Sequence, residues 1–260
     1  MKKILYAAAL AGIAFLSPSA HAQLLDEQNV NITMDLQPIL QLNMTTPDQV
    51  DFTFDNIGAY FGGITKYGAT ILTVSSTVDW DLYAVGTSNQ GTFWDLQVKY
   101  GPTTDPNAIA NIPLEALELH QNQANVNNAG GTGVIADYSA AFAAVTPPYP
   151  LGTFGQNNVY ASNAPYVLPP LTAKFIQGGN LVGDFAAGGS YLTQGAVLTS
   201  IYRYVIDYRL VPGLPAIFPT AGTNIVAAAA NDIVTVNGAG TYAQPGFYTM
   251  NVKYVLLENQ

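Results

Sequence analysis

The residues able to do acid–base or metal chemistry are few. The chain has two histidines and no cysteine. His21 falls inside an N-terminal stretch patterned as a targeting signal, which leaves His120 as the one imidazole for catalysis. A Ser-His-Asp triad would have to use it, and no G-x-S-x-G turn exists to expose a nucleophile. A histidine-based zinc site needs several such ligands, and one does not suffice. His120 therefore reads as an exposed residue at the end of an element. Asp79 and Asp81 flank Trp80 in a strand-like stretch, roughly 7 Å apart from two residues of strand rise. That spacing is compatible with glycoside hydrolysis. Any D-x-D in a strand produces it, so the pair reads as solvated, outward-facing acids, and the chain as no enzyme.

Oxygen-rich loops are the other place for a metal. Asp48, Asp51 and Asp55 cluster in "TPDQVDFTFDN", and Asp105 lies in "TTDPNA". Hard carboxylate ligands on loops suit Ca²⁺. Neither stretch has the spacing of an EF-hand, and Asp is also a common turn residue. A structural Ca²⁺ at Asp48, Asp51 and Asp55 is thus the one cofactor the sequence leaves open.

The tyrosines carry the strongest hint of binding. There are 16 in the chain. Tyr138, Tyr149, Tyr160, Tyr166 and Tyr191 lie among Asn and Gly in an irregular middle region. Tyr offers a rigid apolar face with a polar tip, and Asn adds adaptable hydrogen bonds, a mixture found in binding loops. Glycan rings would stack on such faces. The competing reading is that these rings pack the middle region onto the fold, with their hydroxyls reaching water.

The address is written at the N-terminus. Lys2 and Lys3 precede an apolar run from Ile4 to Leu16, and Ala20-His21-Ala22 matches an A-x-A cleavage site. Residues 1–22 are expected to be a cleaved signal peptide, with residues 23–260 as the exported chain. The apolar run is shorter than the roughly 20 residues of a membrane span. Formal net charge is −9, and loss of Lys2 and Lys3 makes it more negative. Too few cations remain to neutralise phosphates, which argues against nucleic acid as a partner. Charged residues make up only 10% of the chain, against about 25% in typical soluble domains.

The elements that must position these residues are strands. Val30, Ile32, Met34, Leu36, Leu40, Leu42 and Met44 alternate over one long strand, or two collinear ones joined at Pro38. Val50, Phe52 and Phe54 repeat the period. "ATILTVSSTVDWDLYAV" and "FWDLQVKY" read as the arms of a hairpin around the turn "TSNQG", with Trp80 and Trp94 opening the inward faces. "IPLEALELHQN" is read as a strand, with a short helix at Pro113 as the alternative. From residue 122 to 195 the pattern dissolves into a Gly-, Asn- and Tyr-rich insertion, with a short helical candidate from Tyr138 to Val145. Regularity returns in "SIYRYVIDYRLVP". There Tyr202, Tyr204, Ile206, Tyr208 and Leu210 share one face, and Arg203, Asp207 and Arg209 share a solvated one. Ile233–Val236 reads as another strand. "GFYTMNVKYVLL" closes the chain with Tyr248, Met250, Val252, Tyr254 and Leu256 on one face.

The stretch "TVSSTVDWDLYA" resembles a motif of WxL-domain surface proteins, which are secreted β-sandwiches associated with bacterial cell walls. "GTYAQPGFYTMNVKYVLL" is similar to the end of spore-coat-U and fimbrial-type domains, where a Gly-x-Tyr turn feeds a last alternating strand. The second WxL of the first family lies near the C-terminus, where this chain reads "KYVLLE". The resemblances imply an exported, surface- or fibre-associated β-sandwich. They transfer no binding residue.

Together these readings predict an all-β protein: one antiparallel β-sandwich, Ig- or pilin-like, over residues 23–260. Residues 122–195 are expected to form a loop-rich insertion at one side or end. The expected role is structural or adhesive, at the cell surface, outside the cell or in the periplasm. The expected partners are other copies of the chain or other surface proteins. A carbohydrate-binding module using the Tyr- and Asn-rich loops is the alternative, and an outer-membrane β-barrel the third.

Overall fold

In the computed structural model, the described residues are 28, 30–101, 108–125, 136–144, 156–163, 165–170, 172–179, 188–193, 200–210 and 242–258. The expected signal peptide, the strand at Ile233–Val236, Asp105 and Tyr149 lie outside them. The fold is all-β. Its strands are β1 (Leu40–Met44), β2 (Ile64–Ser76), β3 (Trp80–Thr87), β4 (Asp95–Lys99), β5 (Ala108–Ile109), β6 (Leu117–Gln121), β7 (Gly189–Ser190), β8 (Arg203–Leu210), β9 (Tyr242–Ala243), β10 (Gly246–Thr249) and β11 (Asn251–Glu258). One short helix, α1 (Ile57–Gly62), and a 3₁₀ turn at Leu114–Ala116 accompany them.

The largest sheet runs β1-β2-β8-β6, with β7 pairing the end of β2. Its ladders are antiparallel. Two further antiparallel ribbons, β3–β11 and β4–β10, and a short parallel pair, β5–β9, complete the described strands. Period-two alternation decides which side chains go inside, because successive strand residues point to opposite faces. Leu72 and Val74 of β2, Trp80, Leu82 and Ala84 of β3, Leu117 and Leu119 of β6, and Tyr204, Ile206, Tyr208 and Leu210 of β8 meet in one buried cluster. Met250, Val252, Tyr254 and Leu256 pack against it from the closing strands. Burying each large apolar side chain is worth about 1.5–3 kcal/mol, so this shared cluster holds the main sheet and the β3–β11 ribbon together.

Several sequence expectations change on the structure. Trp80 and Trp94 do not face each other across a hairpin. The turn around Gly91 is there, with φ of 74° at that glycine. The arms then part: β3 ladders with β11, and β4 with β10. Trp80 is fully buried, with its ring centroid 6.2 Å from that of Tyr202. Trp94 is half-buried and packs beside Ile112, Ala116, Phe54 and Tyr248. The long N-terminal strand breaks where Pro38 removes a donor: only Leu40–Met44 joins the sheet. Val50, Phe52 and Phe54 alternate inward as read, and pack on the main cluster, but make no ladder. Behind them Asn56 caps α1, its side chain accepting from Ala59 N at 2.9 Å.

"IPLEALELHQN" divides between its two readings. Leu114–Ala116 form the 3₁₀ turn and Leu117–Gln121 the strand. The helical candidate at Tyr138 is absent: residues 138–144 carry no helix. Described residues of the middle region reach the core. Tyr138, Val159, Phe175 and Ile176 are buried, and Val159 and Ile176 belong to the main cluster. Among its described residues it is stitched in by single backbone bridges, such as Leu82 with Gln177 and Gly86 with Ala161.

Candidate functional site

The tightest group of charges lies across the β6–β8 ladder. Register places Glu118 opposite Arg209 and His120 opposite Asp207, so each acid meets its base directly across the strands. Arg209 Nε donates to Glu118 Oε2 at 2.6 Å, and its Nη1 donates to Ala143 O at 2.9 Å. The guanidinium carbon stands 4.6 Å from the Phe142 ring centroid. Glu118 has no exposed surface and Arg209 almost none; Glu118 Oε1 finds no hydrogen-bonding partner. The face read as solvated is therefore covered at Arg209. His120 is half-buried rather than exposed. Its Nδ1 lies 2.9 Å from Asp207 Oδ2, and Asp207 Oδ1 accepts from Gly68 N at 2.6 Å in the β2 bulge. Every member holds another protein group. The cluster fastens residues 142–143 to the sheet.

The paired carboxylates separate in the same way. Asp79 is exposed. Asp81 is buried, and its Oδ1 accepts from Gly179 N at 2.6 Å. The segment around Gln177 covers the face that had been read as open to water. Asp48, Asp51 and Asp55 are all exposed. Asp51 accepts from Gln49 and Asp55 from Asn56. Among the described residues, no three His, Cys, Asp or Glu side chains group as a metal would require.

The tyrosines do not form one surface. Tyr138 is a core residue, and burial raises its pKa. Tyr191 is half-buried against the main cluster. Tyr160 and Tyr166 do come together, on the outer face of the β3–β11 ribbon. They flank Tyr83, whose pKa is pushed up to about 12 by burial first and by Tyr166 and Tyr160 second. Tyr83 stacks edge-on with Phe175 at 6.0 Å. Tyr160, Leu168, Val255 and Leu257 pack around them. Lys253 Nζ sits 5.0 Å from the Tyr166 centroid, a cation–π contact worth about 0.5–1 kcal/mol at an exposed site. Tyr166 and Val167 remain open to solvent.

β11 also presents an unladdered edge. Leu82 and Gly86 of β3 turn their backbones away from it. Leu82 N donates to Gln177 O and Ile176 N to Leu82 O; Gly86 N donates to Tyr160 O and Ser162 N to Gly86 O. Hydrogen-bonded and non-bonded pairs alternate along an antiparallel ladder. Val252, Tyr254 and Leu256, opposite Gly86, Ala84 and Leu82, must then aim their N–H and C=O groups outward. Among the described residues no strand pairs with that edge, although Cα atoms of β1 approach β11 within 8 Å.

A run of strongly exposed apolar side chains lies elsewhere among the described residues. Val30, Ile32, Met34 and Leu36 are 84%, 85%, 78% and 82% exposed. Their alternation reads as strand in the sequence, but among the described residues they join no ladder. Lys253 and Tyr83 were overlooked because each lies in an ordinary strand pattern, and nothing local marks them.

No family model and no curated protein matches the chain. The resemblance to WxL-domain and spore-coat-U proteins therefore rests on the quoted stretches alone.

Proposed function

We propose that the chain is an exported structural or adhesive protein of the cell surface, a β-sandwich that works by association and not by catalysis. One observation carries the reading: four large apolar side chains, Val30 to Leu36, stand in water at every second residue. Isolated exposed apolar residues need no explanation, but contiguous apolar surface marks interaction sites. The charged groups point the same way, since Glu118, Arg209, His120 and Asp207 are paired with one another. Sedimentation and electron microscopy of the exported chain test this. Concentration-dependent assembly or filaments are expected, and a strict monomer at all concentrations would sink it.

A glycan-binding module is the second reading, favoured by exposed Tyr166 beside Lys253 on the β3–β11 face. Retention on a polysaccharide array, lost in Tyr166→Ala, would support it over the first.

A further inference from the structure

We propose that residues 30–36 of one copy add as an antiparallel strand to the open edge of β11 in a second copy. The inference rests on the reading of self-association and names the surfaces that meet.

Each side supplies what the other lacks. The segment has no ladder partner among the described residues, and its even positions are apolar while Asn31, Thr33, Asp35 and Gln37 are polar. β11 matches this on one face: Val252, Tyr254 and Leu256 pack on the main core cluster, while the other face carries exposed Lys253 together with Val255 and Leu257, which pack with Tyr83 and Phe175. An edge strand with free backbone groups is a template for an added strand, in which main-chain bonds give affinity and alternate side chains give specificity.

Charge selects the register. Asp35 is the one charged residue among 30–37, and Lys253 the one cation of β11. Antiparallel pairing of Asp35 with Lys253 sets Leu36 beside Val252, Met34 beside Tyr254 and Ile32 beside Leu256. The apolar row then continues the core-facing side of β11, and the polar row continues the side that carries Tyr166. A slip by one residue would turn all four apolar side chains to the wrong face. In this register Val252, Tyr254 and Leu256 exchange the backbone bonds. Asp35 and Lys253 form a non-bonded pair with Cα atoms about 4.5 Å apart, inside the range a disulfide spans.

The chain has no cysteine, so single substitutions give a clean test. Asp35→Cys and Lys253→Cys chains, purified separately, are mixed and oxidised. We expect a covalent dimer in the mixture whose joining peptide links 35 to 253. A mixture with Thr33→Cys in place of Asp35→Cys should yield much less. The Asp35→Cys Lys253→Cys chain should give a ladder of multimers. Asp35→Lys should raise the concentration needed for assembly by about 2- to 10-fold, from the loss of an exposed pair and added repulsion. Adding Lys253→Asp should restore it. Both positions are exposed, and an unchanged β-type dichroism spectrum checks that each variant folds. Three results overturn the proposal. Assembly without the 35–253 link would leave self-association standing and remove this interface. A link formed within one chain of the double variant would show that the segment serves its own β11. A chain that never assembles would end both this inference and the reading beneath it.

Discussion

Arg209 of β8 and Glu118 of β6 form an ion pair closed to solvent, Nε to Oε2 at 2.6 Å, directly opposite in register. Taking both charges out of water is expensive, and the contact offsets that cost only while both partners remain. Arg209→Ala should therefore lower unfolding stability by about 3–5 kcal/mol, since it strands the Glu118 carboxylate. Replacing both at once, Glu118→Leu with Arg209→Met, should cost far less. Denaturant unfolding of the two variants checks this. Equal losses would mean that the pair stabilises the fold outright.

Gly178 is required for two separate reasons. Its φ is 73°, and an added Cβ would lie 2.0 Å from Asp81 Oδ1. Gly101 has φ of 82° and nothing within 4 Å of the corresponding position. Both alanine variants incur backbone strain of order 1–3 kcal/mol, and Gly178→Ala adds a clash with a buried carboxylate. Thermal melting should place Gly178→Ala clearly below Gly101→Ala. Equal melting points would show that the Asp81 contact yields easily.

Tyr83 and Tyr248 have pKa values raised from 10.0 to about 12, burial being the largest cause for each. The folded state thus holds these protons more tightly than the unfolded chain does. Between those values the unfolded chain has lost protons that the native state keeps, so stability falls as pH rises. Below about pH 10 both states are protonated and these groups contribute no slope. Denaturation midpoints should be flat from pH 8 to that point and then decline. Tyrosinate absorbance in the folded protein should lag behind that of a denatured control. A rise in stability across the alkaline window would contradict the burial of these rings.

How far the fold could be read from the sequence follows from what sets each feature. Period two gave the strands correctly at Leu72–Val74, Trp80–Ala84, Tyr204–Leu210 and Val252–Leu256, because one face of each meets the same cluster. Pairing was not legible. The turn after Thr87 implied a hairpin, yet β3 and β4 take partners from the far end of the chain, and no local signal encodes such long-range choices. Alternation at Val30–Leu36 read as strand, yet among the described residues the segment joins no ladder, because pattern reports amphipathicity and not a pairing partner. Asp81 was read as solvated since its neighbours in sequence cannot announce Gly179 above it. Of the candidate site, Tyr160 and Tyr166 were named, while Lys253 became visible only once β11 was laid against β3.

The closing strand is expected to be indispensable. Phe247 to Gln260 includes nearly all of β10 and the whole of β11, the ladder partners of β4 and β3. Met250, Val252, Tyr254 and Leu256 pack on the main cluster from one face, and Val255 and Leu257 pack with Tyr83 and Phe175 on the other. Tyr254 adds a hydroxyl contact to Tyr208 at 2.5 Å, and Tyr208 in turn bonds Thr70 at 2.8 Å. A fully buried side chain of this kind is worth about 1.5–3 kcal/mol, and six partly buried ones together make up a sizeable share of the roughly 5–15 kcal/mol of a whole domain. Deleting residues 247–260 would also strip β3 of its ladder and bare Leu82 and Ala84. The truncated chain should therefore be recovered unfolded or aggregated, without a cooperative melt. Tyr254→Phe is the finer probe. It keeps the ring and removes the oxygen, and should cost about 0.5–1.5 kcal/mol, the usual net worth of one hydrogen bond. A truncated chain that still melts cooperatively would show that β3 does not depend on β11.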